Sequence, residues 1–243
     1  MYILGVSGSP VDGSNTDSII KEILRSSGAE EQEFLKLSDM NVGPCRAHMK
    51  CVQNNRCDID DDWTFVSRKL LRADAVVLGS PTYYSAPSSF MKCFIERCYS
   101  LRHQKLLLKG KLAAVVAVGC ATEQAVVDWM VKTLTAEGME VVGNMAVKGT
   151  ITCLSCGKGA SCPYPIWNTY SKEMTGVEYG IKEAYTKYLD ILPDNVPYEK
   201  GSAKILSGHR VALTEPSVLK SAQTLGKRIG SLHRERSSGL VRI

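Results

Sequence analysis

Four side chains that can hold a metal lie within thirteen residues of one another. Cys45, His48, Cys51 and Cys57 are spaced Cys-x2-His-x2-Cys-x5-Cys, in a stretch that also holds Gly43, Pro44, Asn54 and Asn55. Thiolates this close on a pliable backbone can turn inward on one centre, as they do around zinc and iron–sulfur clusters. A second group, Cys153-x2-Cys156-x5-Cys162, runs into Pro163, and a cysteine before proline also ends the bacterial ferredoxin ligand run. The two groups offer six thiolates, three from each, and one imidazole. That fills one four-cysteine site but not two. Zinc is the alternative metal, since Cys-x2-Cys also suits zinc knuckles. Iron–sulfur is preferred for the first group, and the second fits either. The chain has nine cysteines, too many to leave unexplained in a reducing compartment, where structural disulfides are rare.

A different chemistry is suggested by Ser7-Gly-Ser-Pro-Val-Asp-Gly-Ser-Asn-Thr16, which follows an apolar run and opens a helix. Amide groups at a helix start attract anions. The hydroxyls of Ser9, Ser14 and Thr16 and the amide of Asn15, around Pro10, can complete a phosphate cradle that contains no lysine. The nucleotide-hydrolase loop needs that lysine, and the dinucleotide fingerprint G-x-G-x-x-G is absent as well. A single terminal phosphate, as in FMN, suits the loop; a Ser/Asn helix cap is the alternative reading. Gly79-Ser-Pro-Thr-Tyr-Tyr-Ser-Ala-Pro87 offers backbone amides and aromatic faces to a flat ring. Cys93 and Cys98 read as small core or interface residues and Cys120 as a buried strand-end residue. His103, His209 and His233 stand in no pattern and receive no role.

The elements that must position these residues alternate. Strands are expected at 2–7, 32–37, 75–79, 112–118 and 140–147. Helices are expected from about Ser14, at 60–73, 87–101, 122–137 and 216–234. Continuous Val/Leu/Ala strands between amphipathic helices indicate a parallel sheet covered on both faces, whose ligands bind at the carboxyl ends of its strands. Residues 149–213 break the rhythm with three cysteines and four prolines and read as an insertion within a single 1–243 domain. The net charge of +5 is mild and dispersed, which argues against nucleic acid. No apolar run reaches membrane-span length, and the N-terminus lacks a signal peptide, so a cytoplasmic location is expected.

The motifs taken together, Gly-Ser-Pro then Ser-Asn-Thr, Gly-Ser-Pro-x-Tyr-Tyr, and Met91-Lys-x-Phe-Ile-Glu-Arg97, resemble the NADPH-dependent FMN reductase-like group of flavodoxin-like proteins. The likeness covers 2–148 and resumes at Ala222–Ile229. It implies an α/β fold, a flavodoxin-like doubly wound five-stranded parallel sheet with helices on both faces, carrying a cysteine loop at 43–62. It places FMN phosphate at Ser9, Ser14, Asn15 and Thr16 and the isoalloxazine against Pro81, Thr82, Tyr83 and Tyr84. Gly119 and Cys120 approach from the other side. The cysteine loop is similar to that of the iron–sulfur flavoproteins, with His48 standing where their second cysteine belongs. The expected function is an FMN-dependent oxidoreductase. Electrons would pass between FMN, a [4Fe-4S] cluster and an unknown partner: ferredoxin, NAD(P)H or a small-molecule acceptor. The alternatives are an NAD(P)H-dependent FMN or quinone reductase without a cluster, and a non-enzymatic carrier or redox sensor. The resemblance also implies a homodimer or homotetramer, with Tyr83, Tyr84, Trp63 and Trp167 as candidate contacts.

Overall fold

In the computed structural model, residues 1–119, 122–149 and 212–239 are described. Five parallel strands form the sheet: β1 (Tyr2–Ser7), β2 (Glu31–Lys36), β3 (Ala75–Tyr83), β5 (Leu112–Gly119) and β6 (Glu140–Lys148). Their order is β2-β1-β3-β5-β6. A two-residue strand, β4 (Ala86–Pro87), folds back antiparallel on the end of β3. The chain winds outward in both directions from β1 and β3, so the switch point lies between them. The loops leaving their carboxyl ends therefore line the crevice where such sheets bind ligands.

Alternate residues of each strand feed opposite faces, as period-2 geometry requires. Leu4, Val6, Val76, Leu78, Ala113 and Val115 meet Val66 and Leu70 of α2 (Trp63–Arg72), Met91 and Phe94 of α3 (Ser89–Cys98), and Val126 and Met130 of α4 (Glu123–Ala136). Ile3, Ala75, Val77 and Val116 meet Ile19, Ile20 and Ile23 of α1 (Asn15–Ser26) and Ala222 and Ile229 of α5 (Pro216–Ser237). Each fully buried aliphatic or aromatic side chain contributes about 1.5–3 kcal/mol. Helices α1 and α5 approach closely at Gly226 and Gly230, where an added Cβ would lie 2.4 and 2.1 Å from the carbonyl oxygens of Ile23 and Ser27.

The sequence expects the second helix from residue 60, but α2 begins at Trp63. The three aspartates before it are engaged elsewhere or left outside. Asp62 accepts from the Asn41 amide (2.7 Å), and Asp61 is turned to Arg97 and the Gly43 amide. Trp63 is a correction of another kind. It was a candidate for a subunit contact, yet it is 1% exposed. Its ring packs edge-on to Phe94, and its Nε1 donates to Ser100 Oγ (3.2 Å). The proposed insertion falls almost wholly outside the described residues, as does Trp167. Among the described residues no helix is long and apolar enough to cross a membrane.

Candidate functional site

Helix α1 starts at a capping box. Ser14 Oγ accepts from the Asp17 amide (3.1 Å), and the Asp17 carboxylate accepts from the Ser14 amide (3.3 Å) and from Ser7 Oγ (2.5 Å). A buried carboxylate under an anion cradle would repel the anion. Lys36 counters it. At the end of β2, in register with Ser7, its buried Nζ lies 2.7 Å from Asp17 Oδ2 and donates to the Val11 carbonyl (2.8 Å). The loop itself contains no lysine, as its sequence shows, but one reaches it from the neighbouring strand. Ser9 Oγ accepts from the Val11 amide (3.2 Å), so the Ser9 and Ser14 hydroxyls serve as acceptors and keep their hydrogens to donate. Asn15 Oδ1 accepts from the Ala212 amide (2.8 Å), Thr16 is buried, and Pro10 is exposed.

This loop is fastened to the one after β3. The Gly8 amide donates to the Gly79 carbonyl (2.8 Å), and Ser88 Oγ donates to the Gly8 carbonyl (2.6 Å). Ser88 also caps α3, accepting from the Met91 amide (3.2 Å). A Cβ on Gly8 would come within 2.8 Å of Met91 Cβ, so only glycine permits this approach. Two helix N-termini thus begin at one junction, and both dipoles favour an anion there.

Beyond it, β3 turns back through Tyr84 and Ser85, both left-handed (φ 49° and 60°). Tyr84 is 92% exposed and Tyr83 43%; Pro81 and Thr82 are half-buried. Partial burial pushes the Tyr83 phenol above its usual pKa. On β5, a Cβ at Gly119 would lie 2.7 Å from Thr82 Cβ, so this glycine leaves room between the strands' ends. Among the described residues Thr82 Oγ1 and Glu123 Oε2 are buried without a hydrogen-bond partner, while the other Glu123 oxygen pairs with Lys148. Unpartnered buried oxygens are rare, and a Cβ at Gly119 would lie 2.7 and 3.3 Å from these two. Glu123 is a candidate for the ring end of the site that the sequence reading missed; its position as the first residue of the helix after β5 was the available signal. Cys120 lies outside the described residues.

The cysteine loop between β2 and α2 is built differently. Ala47, Met49 and Asn55 all have left-handed φ (53°, 60° and 56°). Cys51, on a single 3-10 turn (Lys50–Gln53), is buried; Cys57 is half-buried and Cys45 exposed. Among the described residues no three of His, Cys, Asp and Glu are gathered closely enough to hold a metal ion. The loop is a donor set, and its soft thiols fit iron or zinc. His48 Nε2 lies 3.2 Å from Asp58 Oδ1, and Lys50 Nζ lies 2.9 Å from the other oxygen. Cys51 Sγ lies 3.3 Å from His103 Nε2. Burial pushes the Cys51 thiol up, and the charges of Cys57, Cys45 and Asp58 add to that. The later cysteines, Cys153, Cys156 and Cys162, lie outside the described residues.

Beneath this loop runs a buried ion pair. Arg97 donates to both oxygens of Asp61 (2.5 and 2.9 Å) and to the Gly43 carbonyl (3.1 Å). Burial alone would lower the guanidinium pKa; Asp61 and the nearby Cys57 reverse that and raise it. Burial likewise pushes the Asp61 carboxyl up, but hydrogen bonds from Arg97 and from the Trp63 and Gly43 amides hold it below the ordinary range.

Comparison with known proteins gives the chain's family and relatives. Residues 1–150 match the NADPH-dependent FMN reductase family. An iron–sulfur flavoprotein of Methanosarcina thermophila is 30% identical over 202 residues, covering 79% of this chain and 95% of the relative. An iron–sulfur flavoprotein of Archaeoglobus fulgidus is 32% identical over 157 residues, 62% of this chain and 70% of that protein. Among solved structures, a flavone reductase superposes with a TM-score of 0.53 at 16% identity, over 98% of this chain and 64% of its own. At that identity the last likeness speaks to the fold.

Proposed function

The chain belongs to the NADPH-dependent FMN reductase family, and on that premise we propose that it is an FMN-dependent oxidoreductase of the iron–sulfur flavoprotein type. The observation that carries the flavin half is the junction at Gly8. There, two strand-end loops and two helix N-termini are fastened together around hydroxyls still able to donate. Ser9, Ser14, Asn15 and Thr16 would hold the phosphate. Pro81, Thr82, Tyr83, Tyr84 and Gly119 would face the ring. When bound, FMN supplies one- and two-electron transfer, and the protein sets its position and potential.

The cysteine loop supplies the second half. Its thiols and the name shared by the relatives support a [4Fe-4S] cluster. A ferredoxin or NAD(P)H would donate electrons, and a small molecule would accept them. The expected assembly is a homodimer or homotetramer with the exposed Tyr83 and Tyr84 among its contacts. A second reading, an NAD(P)H-dependent reductase with no cluster, is favoured by one observation: no three ligands are gathered among the described residues. Anaerobic purification separates the two. The first requires FMN on denaturation, with iron and sulfide in about equal amounts, as in a cubane. Flavin with no iron, and steady-state NAD(P)H oxidation, leaves the second. Release of FAD instead of FMN defeats both.

A further inference from the structure

Two oxygens at the carboxyl end of the sheet, Thr82 Oγ1 and Glu123 Oε2, are buried without a hydrogen-bond partner among the described residues. Thr82 follows Pro81, which pairs with Val118 of β5, and the next residue of β5, Gly119, pairs with Lys148 of β6. Thr82, Gly119 and Lys148 therefore stand in a row across three neighbouring strand ends. Glu123, the first residue of α4, reaches this row. One of its oxygens pairs with Lys148, and its side chain is only 7% exposed. We propose that Glu123 and Thr82 hold the polar edge of the flavin ring, Glu123 accepting from the ring N–H and Thr82 donating to the adjoining ring carbonyl. This rests on the FMN reading of the strand-end site.

The point where a Cβ of Gly119 would stand is 2.7 Å from Thr82 Oγ1 and 3.3 Å from Glu123 Oε2. Two oxygens thus face one small space, and a side chain at 119 would fill it. They do not bond each other, although a hydroxyl can donate to a carboxylate. The start of a helix favours a carboxylate through its dipole, but that leaves Oε2 without a donor, and the Lys148 pair answers for the other oxygen alone. A buried carboxylate oxygen is costly until a donor completes it. The isoalloxazine edge supplies the complement: an N–H flanked by carbonyls, which an acceptor and a donor side by side recognise. A second anion would be repelled here. The charge has a further consequence. Lys148 is 53% exposed, so water screens it more than the buried carboxylate. A negative charge fixed beside the ring opposes the charge that reduction adds and lowers the flavin's potential.

Full-length protein freed of flavin is titrated with FMN and with FMN methylated at the ring N–H. Wild type is compared with Glu123→Gln, Glu123→Ala and Thr82→Val. Flavin fluorescence reads binding, reductive titration reads the midpoint potential, and circular dichroism reads folding. Wild type should prefer FMN to its methylated form by on the order of 10-fold or more, as for a hydrogen bond to a charged acceptor. Glu123→Ala should bind the two about equally. Thr82→Val should weaken both by a similar factor and keep the preference. Glu123→Gln keeps an acceptor and loses the charge, so it should keep a preference and raise the midpoint potential. A preference that survives in Glu123→Ala overturns the proposal, as does wild type that takes both flavins equally. If Glu123→Ala does not fold, the isosteric Glu123→Gln decides: an unchanged potential means that no carboxylate lies beside the ring. Wild-type apoprotein that takes FAD, or no flavin, defeats the FMN reading itself, an outcome distinct from equal binding of the two FMN forms.

Discussion

The loops that leave β1 and β2 stand on the same kind of foundation and use it differently. Each rests on one buried ion pair, Lys36–Asp17 under the first and Arg97–Asp61 under the second. Above its pair, the first loop is complete: the Ser14 cap, the Ser7 and Ser9 hydroxyls and the Gly8 bridge are all engaged before any ligand arrives. Above the second pair, thiols lie at three depths and the backbone passes through three left-handed non-glycine residues. A preformed cradle binds without reorganising. A thiol set needs deprotonation and a metal to draw it together, so metal affinity there is in part local folding energy.

The sharpest test of this contrast is to break each foundation separately. Removing one partner of a buried pair strands the other charge and costs about 3–5 kcal/mol. Arg97→Leu and Lys36→Met should each lower urea-unfolding stability by about that amount. Their functional losses should not overlap: Lys36→Met weakens FMN binding and spares iron uptake, and Arg97→Leu does the reverse. If either variant lost both cofactors equally while still folded, the two loops would not be independent. Gly8→Ala comes next. Its Cβ would press on Met91 and Ser88, and overpacking of this kind costs about 1–3 kcal/mol. Flavin titration should show weaker FMN binding, with the cysteine loop untouched.

Acid offers a milder probe of the second foundation. The folded Asp61 carboxyl titrates below its unfolded value of 3.8. Its contribution is therefore fully present above that pH and is lost as pH falls through the lower folded value. Stability measured across this window should fall less steeply in Asp61→Asn, from a lower starting point. An unchanged slope would mean that Asp61 is not the group responsible.

Much of this organisation was legible in the chain. The apolar runs at 75–79 and 112–118 could only be buried parallel strands, and Ser14 marked the start of α1 because its hydroxyl and Asp17 form a capping box. What escaped was partnership across the sequence. Lys36 lies 19 residues from Asp17, and only parallel pairing of β1 with β2 reveals that it sits beneath the loop. His103 stood in no motif because it lies 52 residues from Cys51. Trp63 was misplaced because an aromatic residue beside a cysteine loop reads equally well as surface or core, and its periodicity with Val66 and Leu70 decides for the core only once α2 is packed.

The smallest predicted effect tests the ring loop that joins the first site. A two-residue hairpin turn with both φ values positive favours asparagine and glycine, and here Tyr84 and Ser85 occupy it. Left-handed backbone costs an ordinary residue about 1–2 kcal/mol, while glycine loses about 0.5–1 kcal/mol through the entropy of the unfolded chain. Ser85→Gly should therefore raise stability by about 0.5–1 kcal/mol, the difference between these terms. FMN affinity should hold, because Tyr83 and Tyr84 remain in place. Tyr84→Gly should give a similar gain in stability and weaken FMN binding, because it removes an exposed ring expected to lie against the flavin. Equal behaviour of the two variants in flavin titration would show that the strain at Tyr84 serves the turn alone and that its side chain does not meet the ring.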